Sequence, residues 1–169
     1  MTTSWPRAYP LHVFNFDVVF NEVTLPEGAS AGGGELRLCG AAFTEVSGLE
    51  ATMEPKVIKE GGRNFGVVQR VGPTTFGTVV LKRGISSTKD LWAWFELIAG
   101  GSYAKRLTAT ITLYGPEEGP RNQPSRTPVY TWRLLRAMAT KFKTADFNAT
   151  STSIGIEELH LAHEGMERA

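Results

Sequence analysis

LTATITLY, residues 107–114, alternates without a break. Leu107, Ala109, Ile111 and Leu113 share one face of an extended chain, and Thr108, Thr110 and Thr112 share the other. Threonine keeps the β propensity of a branched side chain while tolerating water. The stretch therefore predicts a strand with its apolar row on a core and its hydroxyl row wet.

Working outward, the same period of two recurs. Downstream, Val129–Met138 and Ser153–His163 predict strands. In Ser153–His163 the phase changes, because Ile154 and Ile156 share one parity while Leu159 and Leu161 share the other. A bulge at Glu157-Glu158, or a strand buried on both faces, would account for it. Upstream, Gly77–Arg83 and Phe65–Val71 alternate across the turn at Gly72-Pro73. Shorter candidates lie at Leu49–Met53, Ala42–Ser47 and Glu35–Cys39, and His12–Phe20 places Phe14, Phe16, Val18 and Phe20 on one face. SSTKDLWAWFELIAGG (86–101) is the one helical stretch. Ser87 and Asp90 fit a capping box, Leu91, Trp94, Phe95 and Ile98 form an apolar face, and Gly100-Gly101 ends it. The fold class is mainly β with one short helix.

The bulk numbers agree. In 169 residues there are 18 glycines and nine prolines, and that many turns favours strands over a helical bundle. The length suits one domain with one core, 1–169, with long loops near 24–35 (TLPEGASAGGGE) and 115–128 (GPEEGPRNQPSRTP). A net charge of +1 supplies no basic field for a phosphate backbone, which disfavours nucleic-acid binding. Cys39 is the single cysteine and is read as a small buried hydrophobe. MTTSWPRAY lacks the form of a secretory signal, and no apolar run reaches spanning length. The expectation is cytoplasmic synthesis without stable membrane insertion.

Chemistry is hard to find. TLPEGASAGGGE lacks the Lys-Ser/Thr of a phosphate loop and the strand and helix that frame a dinucleotide fingerprint. Ser47, Ser86, Ser87 and Ser102 have no nucleophile-elbow context. EELHLAHEG (157–165) gathers Glu157, Glu158, His160, His163 and Glu164. His160 and His163 are three apart, so a regular strand sends them to opposite faces and a polar strand end outranks a metal pair. No catalytic, cofactor-binding or metal residue is assigned, and no cofactor is expected.

FTEVSGLEATMEPKVIKEGGRN (43–64) is different. It opens as a strand and then gathers Lys56, Lys59, Glu60 and Arg63 around Gly61-Gly62. Read by itself, this is a solvated hairpin tip.

The chain resembles the tail-tube proteins of contractile phages and related contractile injection systems. The resemblance rests on five pieces in order: FTEVSGLE (43–50), KEGGRN (59–64), VVLKRGIS (79–86), DLWAWFELI (90–98) and IEELHLAHEG (156–165). It extends more distantly to the type VI secretion tube protein. It implies two antiparallel sheets packed as a small barrel with one flanking helix. It also implies a non-enzymatic subunit that forms homohexameric rings stacked into a hollow tube. Implied partners are the surrounding sheath, baseplate or tube-initiator proteins, and cargo or DNA held in the lumen without specific binding. The finished chain would be part of a phage tail or a released injection particle. The two long loops exceed what the resemblance leads one to expect. It recasts Glu54, Lys56, Lys59, Glu60, Gly61, Gly62, Arg63 and Asn64 as subunit-interface residues. The alternative is a monomeric β-barrel that binds a small ligand or carbohydrate.

Overall fold

The computed structural model describes residues 12–22, 35–36, 43–59, 61–62, 65–101, 106–116, 126–150 and 152–169. In chain order the strands are β1 (Phe16–Glu22), β2 (Glu35–Leu36), β3 (Glu45–Ser47), β4 (Ala51–Met53), β5 (Lys56–Ile58), β6 (Val68–Arg70), β7 (Thr74–Phe76) and β8 (Val79–Gly84). After the helix α1 (Asp90–Ala99) come β9 (Leu107–Tyr114), β10 (Pro128–Lys143), β11 (Ile156–Ala162) and β12 (Gly165–Arg168).

The main sheet has the order β2-β1-β9-β10-β11-β8-β3, all antiparallel, with β12 also on β10. The sixteen-residue β10 serves both halves of it. Its first part pairs with β9 and β12, and Met138–Lys143 pair with β11. Between them the β9 register shifts at Leu134/Ala137, and Arg136 takes φ 51°. A residue in that region bends and twists the strand, as a bulge does. The bend folds one half of the sheet over the other. Among the described residues its two end strands, β2 and β3, are not paired with each other, so the mainly β sheet with its flanking helix is not closed into a barrel there.

One core lies between the halves. Phe20, Leu107, Ala109, Ile111 and Leu134 come from one, and Val79, Leu81, Leu159 and Leu161 from the other. α1 covers an open side with Leu91 and Trp94 buried and Phe95 and Ile98 partly so, which is the face predicted for it. The Trp94 and Phe20 rings meet edge-on at 5.4 Å.

Several expectations need correction. α1 starts at Asp90 with Lys89 as its N-cap, so Ser87 and Asp90 do not hold the N-cap and third helical positions and the capping box does not form. The Asp90 carboxylate instead accepts from Leu91 N at 3.0 Å. The C-terminal glycines do act as read, with Gly101 at φ 99°. The first strand starts at Phe16, and Phe14 is 80% exposed, off the core face. β11 holds one register against β8 through Glu157 and Glu158, so there is no bulge there. Ile154 lies before the strand, and the shift falls on β10 at Ala139/Lys141. Cys39, residues 24–34 of the first long loop and residues 117–125 of the second lie outside the described residues.

Candidate assembly surface

Residues 51–76 leave the main sheet as a two-stranded arm. Ala51–Met53 pair with Thr74–Phe76, and farther out Lys56–Ile58 pair with Val68–Arg70. Among the described residues neither ribbon pairs with a third strand. Between them Glu54 and Pro55 oppose Val71, Gly72 and Pro73, so the register slips by one. Both strands carry a proline at this joint, and proline lacks the N–H that would continue a ladder. Gly72 lies so close to Glu54 that a Cβ would sit 1.8 Å from the Glu54 carbonyl oxygen. The sequence pattern sees two strands here, and the prolines set where the arm is jointed.

The base of the arm is fixed firmly. Gly77 N donates to Glu50 O at 3.1 Å. Gly48 has φ 81°, and a Cβ on it would stand 2.2 Å from Thr78 O, so only glycine lets the two backbones meet there. The Phe76 ring lies 5.3 Å from that of His163, whose Nδ1 is 2.9 Å from Gly165 O. His163 is thus a half-buried shelf for the arm. His160 is 3.7 Å from Glu158, on the other side of the strand. Among the described residues no group of three or more His, Cys, Asp or Glu side chains could hold a metal.

Along the arm, apolar side chains face solvent. Met53 is 49% exposed, Val57 50%, Val67 49%, Val71 79% and Phe65 94%. Val57 pairs with Gln69, and alternation puts Val67 and Val71 on that same face, so the arm carries an apolar stripe. Such clustering on one projecting element marks a surface that expects a partner. Of the interface residues named from sequence, Glu54 sits at the joint, Lys56 on β5, Lys59 just beyond it and Gly61-Gly62 in the tip turn, Gly62 at φ 85°. Glu60, Arg63 and Asn64 lie outside the described residues. Sequence reading found the charges of this element and missed its valines, because an alternating Phe65–Val71 looks like a core-facing strand.

Among the described residues, concave places on the body include these two. One, of about 570 Å³, is at the end of β8 and β11 remote from the arm, and its lining includes Ile85, Lys143, Asp146, Phe147, Ile154 and Glu158. The other, of about 390 Å³, opens near β3 among Phe16, Val46, Leu49, Ile111 and Trp132.

Inside, one charged cluster orders the body. Arg83 and Glu157 both point into the core, exposed 1% and 7%. Arg83 Nε donates to Glu157 Oε1. The other end of the guanidinium grips Asp90 in a bidentate pair, at 2.6 and 3.1 Å. Burial opposes the charge on Arg83, but the hydrogen bonds to Asp90 and Glu157 outweigh it and hold the guanidinium above its ordinary value. Burial likewise pushes Asp90 upward, and bonds from Arg83 and Thr88 more than reverse this, leaving its carboxyl below the usual range. The cluster ties β8, β11 and the start of α1 together, with Arg83 and Glu157 buried and Asp90 partly exposed.

Comparison with known proteins completes the picture. A chain in the structure of the anti-feeding prophage (AFP) baseplate superposes with a TM-score of 0.75 at 23% identity, covering 96% of this chain and 97% of that one. A chain of the sheath-tube complex of an extracellular contractile injection system, PVC, in its extended state gives 0.69 at 19% identity, with 95% and 92% covered. Hcp1 from Flavobacterium johnsoniae gives 0.52 at 11% identity, with 90% and 94% covered. These likenesses establish the fold. No curated protein sequence matches. The family model described as T4-like virus tail tube protein gp19 matches residues 12–167.

Proposed function

This chain belongs to the T4-like virus tail tube protein gp19 family, and from that premise we propose how it builds a tube. It is a structural inner-tube subunit of a contractile tail or injection system. Six copies form a ring, rings stack into a hollow tube, and cargo or DNA passes through the lumen. The sheath surrounds the tube and a baseplate complex starts it, in keeping with the sheath-tube and baseplate settings of the similar chains. The whole chain, 1–169, acts as one tube domain, made and assembled in the cytoplasm before it joins a particle. Its role is mechanical, and catalysis is no part of it.

The observation that carries this reading is the arm. An isolated two-stranded ribbon is marginal in water, yet this one projects with Met53, Val57, Val67 and Val71 uncovered. A neighbouring copy would cover them. Contact between one patch and a different patch on the next copy is heterologous, and it propagates into rings or stacks. Lys56, Lys59, Glu60 and Arg63 would then set register, because mispaired like charges are penalised. Gly61-Gly62 would let the tip turn against the partner.

The test is electron microscopy of the purified protein beside light scattering in solution. Rings or stacked tubes are expected, and a population that stays monomeric at all accessible concentrations would overturn the reading.

A further inference from the structure

We infer that the outer half of the arm docks on the 570 Å³ cavity at the far end of the body of the next copy. The inference rests on the reading of the arm as an interface element and names its receptor. The arm leaves the body beside Val79, which pairs with Leu161. The cavity lies at the opposite ends of the same two strands, past the Gly84–Ile156 pair, where Ile85 N donates to Gly155 O at 2.9 Å. Projection and recess are therefore at opposite poles of one ladder. That is the arrangement a head-to-tail contact requires. Eight residues, Ala51 to Ile58, reach about 25 Å when extended, enough to cross from one body to another.

Chemistry matches as well as position. The recess is rimmed by Phe147 and Ile154, exposed 88% and 80%, with Ile85 beside them at 40%. These are as uncovered as the valine stripe they would receive. Among the described residues from 56 to 70 the arm carries three cations, Lys56, Lys59 and Arg70, and no carboxylate, in a chain whose net charge is +1. The recess offers Asp146 and Glu158 against Lys143. Glu158 has His160 at 3.7 Å, so Asp146 on the exposed loop is the carboxylate best placed to meet an arm cation. The apolar contact supplies the attraction, and the unlike charges select the orientation. The second recess, beside β3, opens near the root of the arm and lacks this opposite-pole geometry.

The experiment is a double-cysteine variant, Val57→Cys with Ile154→Cys, in a Cys39→Ser background. Assembled particles are treated with a short bismaleimide and run on a denaturing gel. A ladder of linked subunits is expected from the double variant and none from either single one. In parallel, Ile154→Asp should cut pelletable assemblies roughly tenfold, the effect of one unpaired charge in an apolar contact. Its far-ultraviolet circular dichroism should stay that of the parent. If the double variant forms particles without a ladder, the arm docks elsewhere and the inference fails, while the function stands. If arm variants and Ile154→Asp all assemble normally, the reading of the arm fails too.

Discussion

Arg83 and Glu157 are register partners across the β8–β11 ladder, both on the core face, with the Arg83 Nε donating to the Glu157 carboxylate. The same guanidinium holds Asp90 at the first turn of α1. A charge pair occupies the place where alternation calls for two aliphatic residues. It continues the rows Val79–Leu81 and Leu161–Leu159 to the edge of the core.

Arg83→Leu would leave Glu157 buried without its cation. Removing one partner of a buried pair costs about 3–5 kcal/mol, and urea unfolding of the unassembled chain should show a loss of that size. A change within about 0.5 kcal/mol would mean the cluster is solvated.

Asp90→Asn tests the same cluster by pH. The folded carboxyl is held below 3.8, so its contribution is complete above that value and fades as pH falls through the folded pKa. At pH 7 the variant should be about 1.5–3 kcal/mol less stable. The gap between variant and parent should be full above about pH 4 and narrow as pH falls below it. A gap that is constant with pH would contradict the ion pair.

Trp94→Ala should cost about 3–5 kcal/mol, the usual loss for a truncated buried aromatic. Glu96→Ala, on the other face of α1, should stay within about 0.5 kcal/mol. Equal losses in a thermal melt would show that the helix is oriented otherwise.

How much of this was readable in the sequence depends on what each residue does locally. β9 and α1 were legible because their apolar rows follow one period from end to end and face one core. β11 was misread at Glu157, since a carboxylate on the core face looks like a phase change until its partner Arg83 is seen 74 positions away. The capping box failed for a different reason: the helix starts at Asp90, which accepts from both Arg83 and Leu91 N, and not beside Ser87. The arm was half legible. Its charges and glycines announced a special loop, but a valine stripe facing water and one facing a core are written alike. Only the pairing of 51–58 with 68–76, away from the main sheet, tells them apart.

Gly48→Ala and Gly62→Ala separate backbone conformation from close approach. Both glycines have positive φ, but only at Gly48 would the new Cβ meet a backbone oxygen, at 2.2 Å. Gly62→Ala should cost about 1–2 kcal/mol. Gly48→Ala should cost clearly more in the same thermal melts, and equal losses would place the arm root differently.

The hydroxyl face of β9 should meet water. Thr110 and Thr112 lie opposite Val19 and Asp17 on one side and Arg133 and Thr131 on the other, a mainly polar surface. In a Cys39→Ser background, cysteines at Thr108, Thr110 and Thr112 should react with a small hydrophilic maleimide in assembled particles. Protection of all three would place this face in a dry contact.

The central claim is that the arm joins subunits, and Val57→Asp with Val71→Asp tests it most directly. Both side chains are at least half exposed, so the chain should fold as before. Electron microscopy of parent and variant under the same conditions is the deciding measurement. Tubes from the parent, with only dispersed, folded subunits from the variant, is the predicted result. Tubes of parental length and number from the variant would contradict the account.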